Sequence, residues 1–225
     1  DSGFLVANLG AGSGRPPLGR AMAITLWTNP ADSKEYAFVA ASQAGIGVVD
    51  VTDVNDMKFV KVFEPKKMED DKVVKADGRS VDVHVIGDQV YFSYSSFGLV
   101  NYTIADLIEP VPDGVDPLEI WKLGTTGTVQ FDHRPDYVAK FKITEVEGYE
   151  ELDAEALFMT YTNVNDTLVF YVAYGHAGLG RVDWTVPAAP ALLNLANTAG
   201  EAVAVAIANG RVFVADHGGG FTQFK

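Results

Sequence analysis

Short apolar stretches of alternating character recur along the chain, and each is followed by a glycine-bearing turn and a second apolar stretch. Four such segments align without a gap, at residues 38–50, 91–103, 171–183 and 213–225. Alternating β-branched and aromatic residues are typical of half-buried strands, and a glycine between two such runs is typical of a hairpin turn. The pattern therefore predicts four β-hairpins of one kind.

The aligned turn glycines are Gly45, Gly98, Gly178 and Gly220. A glycine suits this place because the chain must reverse through backbone angles that a Cβ atom opposes. We therefore expect the same backbone conformation at all four positions.

Further strands are predicted on both sides of these hairpins. First strands precede them at residues 21–27, 80–86, 155–161 and 202–208, and fourth strands follow two of them at residues 58–64 and 191–197. Gly87-Asp88 and Asn209-Gly210 predict two-residue turns between a first strand and its hairpin.

Four antiparallel strands per copy predict a sheet that cannot cover its own two apolar faces. Gly178 and Gly220 lie 42 residues apart, and a propeller blade takes roughly 40 to 45 residues. Radial stacking of such sheets covers both faces and leaves short edges. We therefore predict an all-β chain folded as a β-propeller of four-stranded antiparallel blades, with four clear repeats.

Two spacings are longer than one repeat. Gly45 and Gly98 lie 53 residues apart, which the polar loop at residues 65–79 can absorb, and Gly98 and Gly178 lie 80 apart. For the second gap we predict an outer strand near residues 119–123 and then an inserted hairpin or excursion through residues 137–146. The alternative is a fifth, degenerate blade with a hairpin at residues 120–132 around Gly127.

The domain prediction is one β-propeller over residues 1–225, with an insertion or degenerate blade at about 104–154. Residues 3–9 resemble the second half of a hairpin, since Gly3 precedes Gly45 by 42 residues. Either this segment closes the ring by joining the blade that ends at Lys225, or the chain is part of a longer propeller. Its opening, DSGFLVANLG, lacks a signal-peptide pattern, so either a leader has been cleaved or a longer chain precedes it.

The hairpins also carry a family resemblance. GIGVVDVTDVNDMKFVKVFE at residues 45–64, GLGRVDWT at 178–185 and FVAD at 213–216 resemble the LVIVD repeat. The resemblance implies a β-propeller, commonly on exported or cell-surface proteins of prokaryotes, and it implies no reaction, because the family has no shared catalytic set. Thr103 and Lys225 depart from the pattern by replacing the Asp that ends the third strand.

Charge and composition narrow the function. The formal net charge is -13, with 17 Lys and Arg against 30 Asp and Glu, which opposes binding to nucleic acid or to an anionic membrane. The absence of cysteine removes disulfides, thiol nucleophiles and thiolate metal sites. No apolar run is long enough for a membrane span, no nucleotide-binding or hydrolase motif is present, and we predict no cofactor.

Two of the four histidines lie in the predicted turns. His176 aligns with Gln43 and Ser96, and His217 lies in the corresponding turn of the last copy. In a propeller these turns share one face, where ligands commonly bind, so these four residues are the predicted binding residues. The alternative is that each histidine is a solvated or backbone-bonded turn residue.

Asp82 and His84 lie on one side of a predicted first strand, because alternate residues of a strand point the same way. A carboxylate beside an imidazole could poise a general base at the channel mouth. The alternative is a mutually satisfied polar pair that stabilises the blade.

Acidic residues after one strand suggest a weak calcium site. Asp50, Asp53, Asn55 and Asp56 offer oxygen ligands at short spacing. However, the EF-hand spacing is missing, and such residues commonly bond their own backbone. We therefore predict no metal.

The function predicted from the sequence is a non-enzymatic binding or assembly module with a protein partner or a larger surface complex. The predicted location is extracellular or at the cell surface, with the periplasm as the alternative. Two alternative functions remain: a propeller hydrolase or lyase that uses Asp82 and His84, and an accessory subunit of an extracellular redox or filament complex.

Overall fold

The computed structural model describes residues 18–69, 72–123 and 129–225. These residues form four-stranded antiparallel sheets, a three-stranded sheet and short hairpins. In chain order the strands are β1 (Ala23–Thr28), β2 (Glu35–Ala40), β3 (Ile46–Asp50), β4 (Lys58–Phe63), β5 (Lys67–Glu69), β6 (Lys72–Val74), β7 (Asp82–Ile86), β8 (Gln89–Tyr94), β9 (Gly98–Thr103), β10 (Trp121–Leu123), β11 (Val129–Asp132), β12 (Ala139–Phe141), β13 (Met159–Val164), β14 (Thr167–Ala173), β15 (Leu179–Asp183), β16 (Ala191–Ala196), β17 (Glu201–Ala208), β18 (Arg211–His217) and β19 (Gly220–Phe224). A helix, α1 (Ile104–Ile108), and a 3₁₀ turn (Ile143–Glu145) complete the elements.

The first sheet has the order β1-β2-β3-β4 and the third has the order β13-β14-β15-β16, so each follows the chain. β2 is buried along its length after Glu35, whereas β1 alternates between half-buried and exposed residues. The fourth sheet, β17-β18-β19, has three described strands. The prediction of an all-β chain with four-stranded antiparallel sheets is confirmed, and the four predicted hairpins are present.

The second sheet corrects one prediction. Its order is β12-β9-β8-β7, so its fourth strand is Ala139–Phe141 rather than residues 119–123. Trp121–Leu123 instead pairs with Val129–Asp132 in a separate two-stranded sheet. The chain leaves at the end of β9 because Thr103 caps α1, where its hydroxyl accepts the Asp106 amide at 3.2 Å. The insertion therefore lies between the third and fourth strands of the sheet.

The first strand of the third sheet begins later in the chain than predicted. This strand begins at Met159, not at residue 155, and ends in a two-residue turn formed by Asn165 and Asp166. Both turn residues have positive φ, 51° and 60°, as a tight hairpin turn requires. The two-residue turns predicted at Gly87-Asp88 and Asn209-Gly210 are confirmed.

One hydrogen-bonded turn joins the second and third strands in the first three sheets. In each, the amide of the turn glycine donates to the carbonyl three residues earlier, at 3.1 Å. The pairs are Gly45 with Ser42, Gly98 with Ser95, and Gly178 with Gly175. The glycine φ values are 90°, 104° and 88°, and Gly220 in the fourth sheet has 81°. The predicted common backbone conformation of these four glycines is confirmed.

Glycine is also required by a close approach of the fourth strand. A Cβ atom at Gly45, Gly98 or Gly178 would lie 2.2, 2.3 or 2.4 Å from the carbonyl oxygen that ends the fourth strand of its sheet. No atom can be accommodated at that distance without a backbone shift. The glycine is therefore needed for sheet packing as well as for chain reversal.

Each of these turns also contains one end of an isolated antiparallel bridge. The bridge joins the residue three before the glycine to a residue at the start of the next sheet. The bridged pairs are Ser42 with Ser80, Ser95 with Ala156, and Gly175 with Ala202. Their backbone hydrogen bonds measure 2.9 to 3.1 Å. The same local contact thus links consecutive sheets.

The described chain divides into two compact units. One contains the described residues up to Tyr91 together with Tyr102–Tyr137, and the other contains Phe92–Asn101 with Val138–Lys225. In the first, Phe38 and Ile46 are fully buried, and in the second Phe170 and Val172 are. The prediction of one propeller domain over residues 1–225 stays a prediction.

Two further sequence hypotheses fall on residues 1–17 and 124–128. Ring closure by residues 3–9 thus lies outside the described residues, as does the turn around Gly127. The two strands of the alternative hairpin predicted at residues 120–132 are described, and they pair as β10 and β11. Within the described ranges, no helix has the length and apolar character needed to cross a bilayer.

Candidate functional site

The recurring turn presents a different side chain in each sheet. Gln43 and His176 are exposed and Ser96 is half-buried, and all three occupy the position two residues before the turn glycine. Gln43 belongs to the first unit, and Ser96 and His176 belong to the second. The predicted equivalence of these positions is therefore present in the local structure, and their role in binding stays a prediction.

His217 ends β18 opposite Glu201 on β17. Its Nδ1 lies 3.6 Å from Glu201 Oε2, and its side chain is 80% exposed. The adjacent Asp216 is buried, and its carboxylate accepts the Thr198 hydroxyl and the Gly200 amide, each at 2.8 Å. Sequence reasoning missed these partners because they come from the loop that enters the sheet.

Asp82 and His84 lie together on β7, as the alternation predicted. His84 Nε2 is 3.4 Å from Asp82 Oδ2, and the two side chains are 27% and 11% exposed, respectively. The other carboxylate oxygen accepts the Val83 amide at 2.9 Å. The Val83 carbonyl in turn accepts the hydroxyl of Thr25 on β1 at 2.9 Å. This geometry can orient an imidazole, so the pair remains a hypothetical acid-base site.

The weak calcium candidates bond their own chain. Asp50 Oδ1 accepts the Thr52 amide at 3.0 Å, and Asp53 Oδ1 accepts the Asn55 amide at 2.9 Å. Asp56 forms an exposed ion pair with Lys58. Within the described part of the chain, no group of three or more His, Asp or Glu side chains is placed to hold a metal ion.

The Asp-x-Thr arrangement recurs at the end of β15. Asp183 Oδ1 accepts the Thr185 amide at 2.9 Å, and the Thr185 hydroxyl accepts the Leu168 amide at 3.1 Å. Hydrogen bonds from the Thr185 side chain and backbone hold the pKa of Asp183 below its ordinary value. Asp50 and Thr52 make the same contacts to the start of β2. The motif thus closes the end of a hairpin.

The insertion contains a buried ion pair that the sequence analysis did not select. Arg134 is 3% exposed, and it donates to both carboxylate oxygens of Asp132 at 2.9 and 2.8 Å. Its guanidinium lies 3.7 Å from the centroid of the Trp121 ring. Burial alone would raise the pKa of Asp132, but the hydrogen bonds and charge of Arg134 lower it. The adjacent letters DHR at residues 132–134 were the available signal.

A buried lysine lies beside this pair. Lys61 on β4 is 4% exposed, and its Nζ donates to the Asp106 carbonyl of α1 at 2.8 Å. Burial lowers the pKa of Lys61, while the charges of Glu109 and Asp106 oppose that shift. Lys61, Asp106, Glu109, His133, Arg134, Pro135 and Asp136 line a polar cavity of about 260 Å³. These contacts anchor the insertion to the first sheet, which explains them without a ligand.

No protein-family model matches the chain, and no curated protein matches it. Among solved structures, it is similar to the computationally designed Ika4 protein, with a TM-score of 0.49 and 10% identity over 91% of this chain and 90% of that chain. The designed Ika8 protein gives a TM-score of 0.49 and 10% identity over 92% and 46%. BamB from Moraxella catarrhalis gives 0.38 and 13% over 92% and 58%. At these values the similarity carries no inference about function.

Proposed function

We propose that this chain is a non-enzymatic binding or assembly module, built as a β-propeller of the LVIVD-repeat kind. The observation that carries the proposal is the recurring turn, whose backbone hydrogen bonds are constant while the residue two before its glycine changes from Gln43 to Ser96 to His176. A fixed backbone with variable tips is how rigid scaffolds present binding residues. The turns are therefore the proposed contact surface.

The bridges between consecutive sheets support the propeller arrangement. Each links the turn of one hairpin to the start of the next sheet through backbone hydrogen bonds. A succession of similar sheets joined in one way buries both faces of each sheet when the sheets are arranged around an axis. We infer such an arrangement here.

The charge of the chain favours a particular class of partner. A formal net charge of -13 attracts a protein with a basic surface and accelerates its association at low salt. We propose a protein partner or a larger surface complex, outside the cell or at its surface. Association that slows as salt increases is the expected kinetic signature.

Site-specific crosslinking tests this proposal, because the chain has no native cysteine. Cysteine is introduced singly at Gln43, Ser96 and His176, labelled with a benzophenone photo-crosslinker, and each protein is incubated with cells of its source. We expect the same partner to be captured from all three positions.

The matched control is Asn165→Cys, in the turn at the opposite end of β14 from His176. We expect no capture of that partner from this position. Equal capture from Asn165, or a different partner from each turn, would contradict a common contact surface.

A second candidate function is catalytic, and the contact between Asp82 and His84 favours it. In that case His84 is the base and Asp82 orients it. His84→Ala would then abolish turnover of a substrate and leave the unfolding temperature unchanged. A lowered unfolding temperature with no lost activity would identify a structural pair.

A further inference from the structure

A cavity of about 310 Å³ lies between the third and fourth sheets, wholly within the second unit. Its described lining residues are Thr162, Tyr171, Leu179, Arg181, Asn194, Ala196, Ile207, Gly210, Val212, Phe224 and Lys225. Pockets for small ligands begin at about this volume. None of these residues belongs to the turn surface proposed above, so this site stands independently of it.

One wall of the cavity is a polar row across the third sheet. Tyr171 faces Arg181 on the neighbouring strand, and Arg181 faces Asn194 on the next. The Arg181 guanidinium lies 5.6 Å from the centroid of the Tyr171 ring. The row therefore presents a guanidinium and an amide side by side.

The opposite wall is apolar. Ile207, Val212 and Phe224 face one another on β17, β18 and β19. An aliphatic pair and an aromatic ring in one row offer a surface for a flat apolar group. The cavity thus has one hydrogen-bonding wall and one hydrophobic wall.

Charge selects the ligand further. The charged side chains among the described lining residues are Arg181 and Lys225, both cationic, in a chain where acids outnumber bases by 30 to 17. Arg181 Nε is buried and has no hydrogen-bond partner among the described residues. Asp183, two residues further along β15, directs Oδ1 to the Thr185 amide instead. A buried guanidinium donor without an acceptor gains most from an oxyanion.

We propose that this cavity binds a small amphipathic anion. Its carboxylate or phosphate group accepts hydrogen bonds from Arg181, with Asn194 and Lys225 beside it. Its flat apolar body packs against Ile207, Val212 and Phe224. The fork of a guanidinium matches both oxyanions, so the ligand class is defined by one such group on one apolar body.

Titration with three matched probes tests the proposal. Phenylacetate carries the carboxylate, phenyl phosphate carries the phosphate, and phenylacetamide is the neutral isostere. Binding is measured by calorimetry and by backbone amide shifts in NMR spectra. We expect saturable binding of at least one anion, shifts at the cavity residues, and binding of phenylacetamide at least about tenfold weaker. Whichever anion binds with the higher affinity shows whether the site prefers a carboxylate or a phosphate.

Arg181→Gln is expected to weaken binding of the better anion by about tenfold or more, and Arg181→Lys by less, because lysine keeps the charge without the fork. Arg211→Gln is the control, since it makes the same charge change at an exposed residue of β18 that does not line the cavity. It should bind like the wild type. If Arg181→Gln also lowers the unfolding temperature, the affinity of Arg181→Lys for the better anion is the measurement that tests the role of the guanidinium.

Three results would overturn the proposal. They are no saturable binding of either anion up to tens of millimolar, equal binding of phenylacetamide, or equal weakening by Arg181→Gln and Arg211→Gln. The last result would indicate general electrostatic attraction rather than a site.

Discussion

The third and fourth sheets begin from similar hairpins and differ in what surrounds them. In the third, Gly178 lies against the end of a fourth strand, and Leu179 beside it is 3% exposed. In the fourth, Gly220 has nearly the same φ, yet a Cβ there meets no described atom within 4 Å, and Phe221 beside it is 71% exposed. The backbone conformation of the turn is therefore determined by nearby residues in the chain, whereas the burial of the residues beside the glycine depends on the fourth strand.

This difference separates two roles of one glycine. The positive φ favours glycine in both sheets, but the steric requirement applies where a carbonyl oxygen occupies the place of the Cβ atom. Substitutions at equivalent positions of the two sheets should therefore have unequal effects.

The largest expected difference is between Gly178→Ala and Gly220→Ala. At Gly178 the new Cβ would lie 2.4 Å from the Ala196 carbonyl oxygen at φ 88°, so we expect a loss of about 3 to 5 kcal/mol in the free energy of unfolding. At Gly220 the backbone strain alone should cost about 1 to 2 kcal/mol. Urea denaturation measures both, and equal losses would show that the fourth strand does not distinguish the two sites.

The residue after the turn glycine should show the same contrast between the two sheets, with smaller losses of stability. Leu179→Ala removes a buried side chain and should cost about 2 to 4 kcal/mol. Phe221→Ala loses only a stacking contact with Phe213, 5.5 Å away between centroids, and should cost less than about 1.5 kcal/mol. Thermal unfolding compares the two variants. A larger loss at Phe221 would indicate that this face is covered.

A third comparison concerns the residue four before the turn glycine, which is Tyr174 in one sheet and Asp216 in the other. Asp216→Asn disturbs a carboxylate that accepts two hydrogen bonds, so we expect a loss of about 1 to 2 kcal/mol. The Tyr174 hydroxyl is buried with no hydrogen-bond partner among the described residues, so Tyr174→Phe should be close to neutral. Chemical denaturation of both variants measures the two losses. A larger loss of stability for Tyr174→Phe than for Asp216→Asn would contradict this prediction.

The smallest expected effect is a pH dependence that arises from Asp183 in the third sheet. Asp183 has a pKa lowered by Thr185, so its contribution is present above its unfolded pKa of about 3.9 and is lost as the pH falls through the lower folded pKa. Asp183→Asn should cost less than about 1 kcal/mol at neutral pH because the site is largely solvated. Denaturation from pH 7 down to about 2 should show that difference disappearing.

Lys225 holds the equivalent position in the fourth sheet, and Lys225→Gln provides the control. Its stability relative to the wild type should not change across the same acid range. A persistent difference at low pH for Asp183→Asn would contradict the assigned cause.

Features fixed by local sequence could be predicted. The glycine conformation and the turns at Gly87 and Asn209 follow from backbone chemistry within a few residues. The contact between Asp82 and His84 follows from strand alternation. β4 and β16 also lie where their apolar patterns placed them.

Features that depend on pairing between distant segments could not be predicted from the sequence. The fourth strand of the second sheet is three residues long, pairs with β9 across the whole insertion, and has no stronger apolar pattern than residues 119–123. Arg181 faces Asn194 in a register that a bulge shifts between Arg181 and Val182. Cross-strand neighbours of this kind follow from register, which one sequence does not reveal.

The central claim is that one recurring backbone bridge joins the turn of a sheet to the start of the next sheet. Amide hydrogen exchange measured by NMR tests it most directly, because Ser80, Ala156 and Ala202 donate the bridging hydrogen bonds. We predict exchange at all three amides at least about a hundredfold slower than in an unstructured peptide. Exchange at the unprotected rate at any of these amides would contradict the claim.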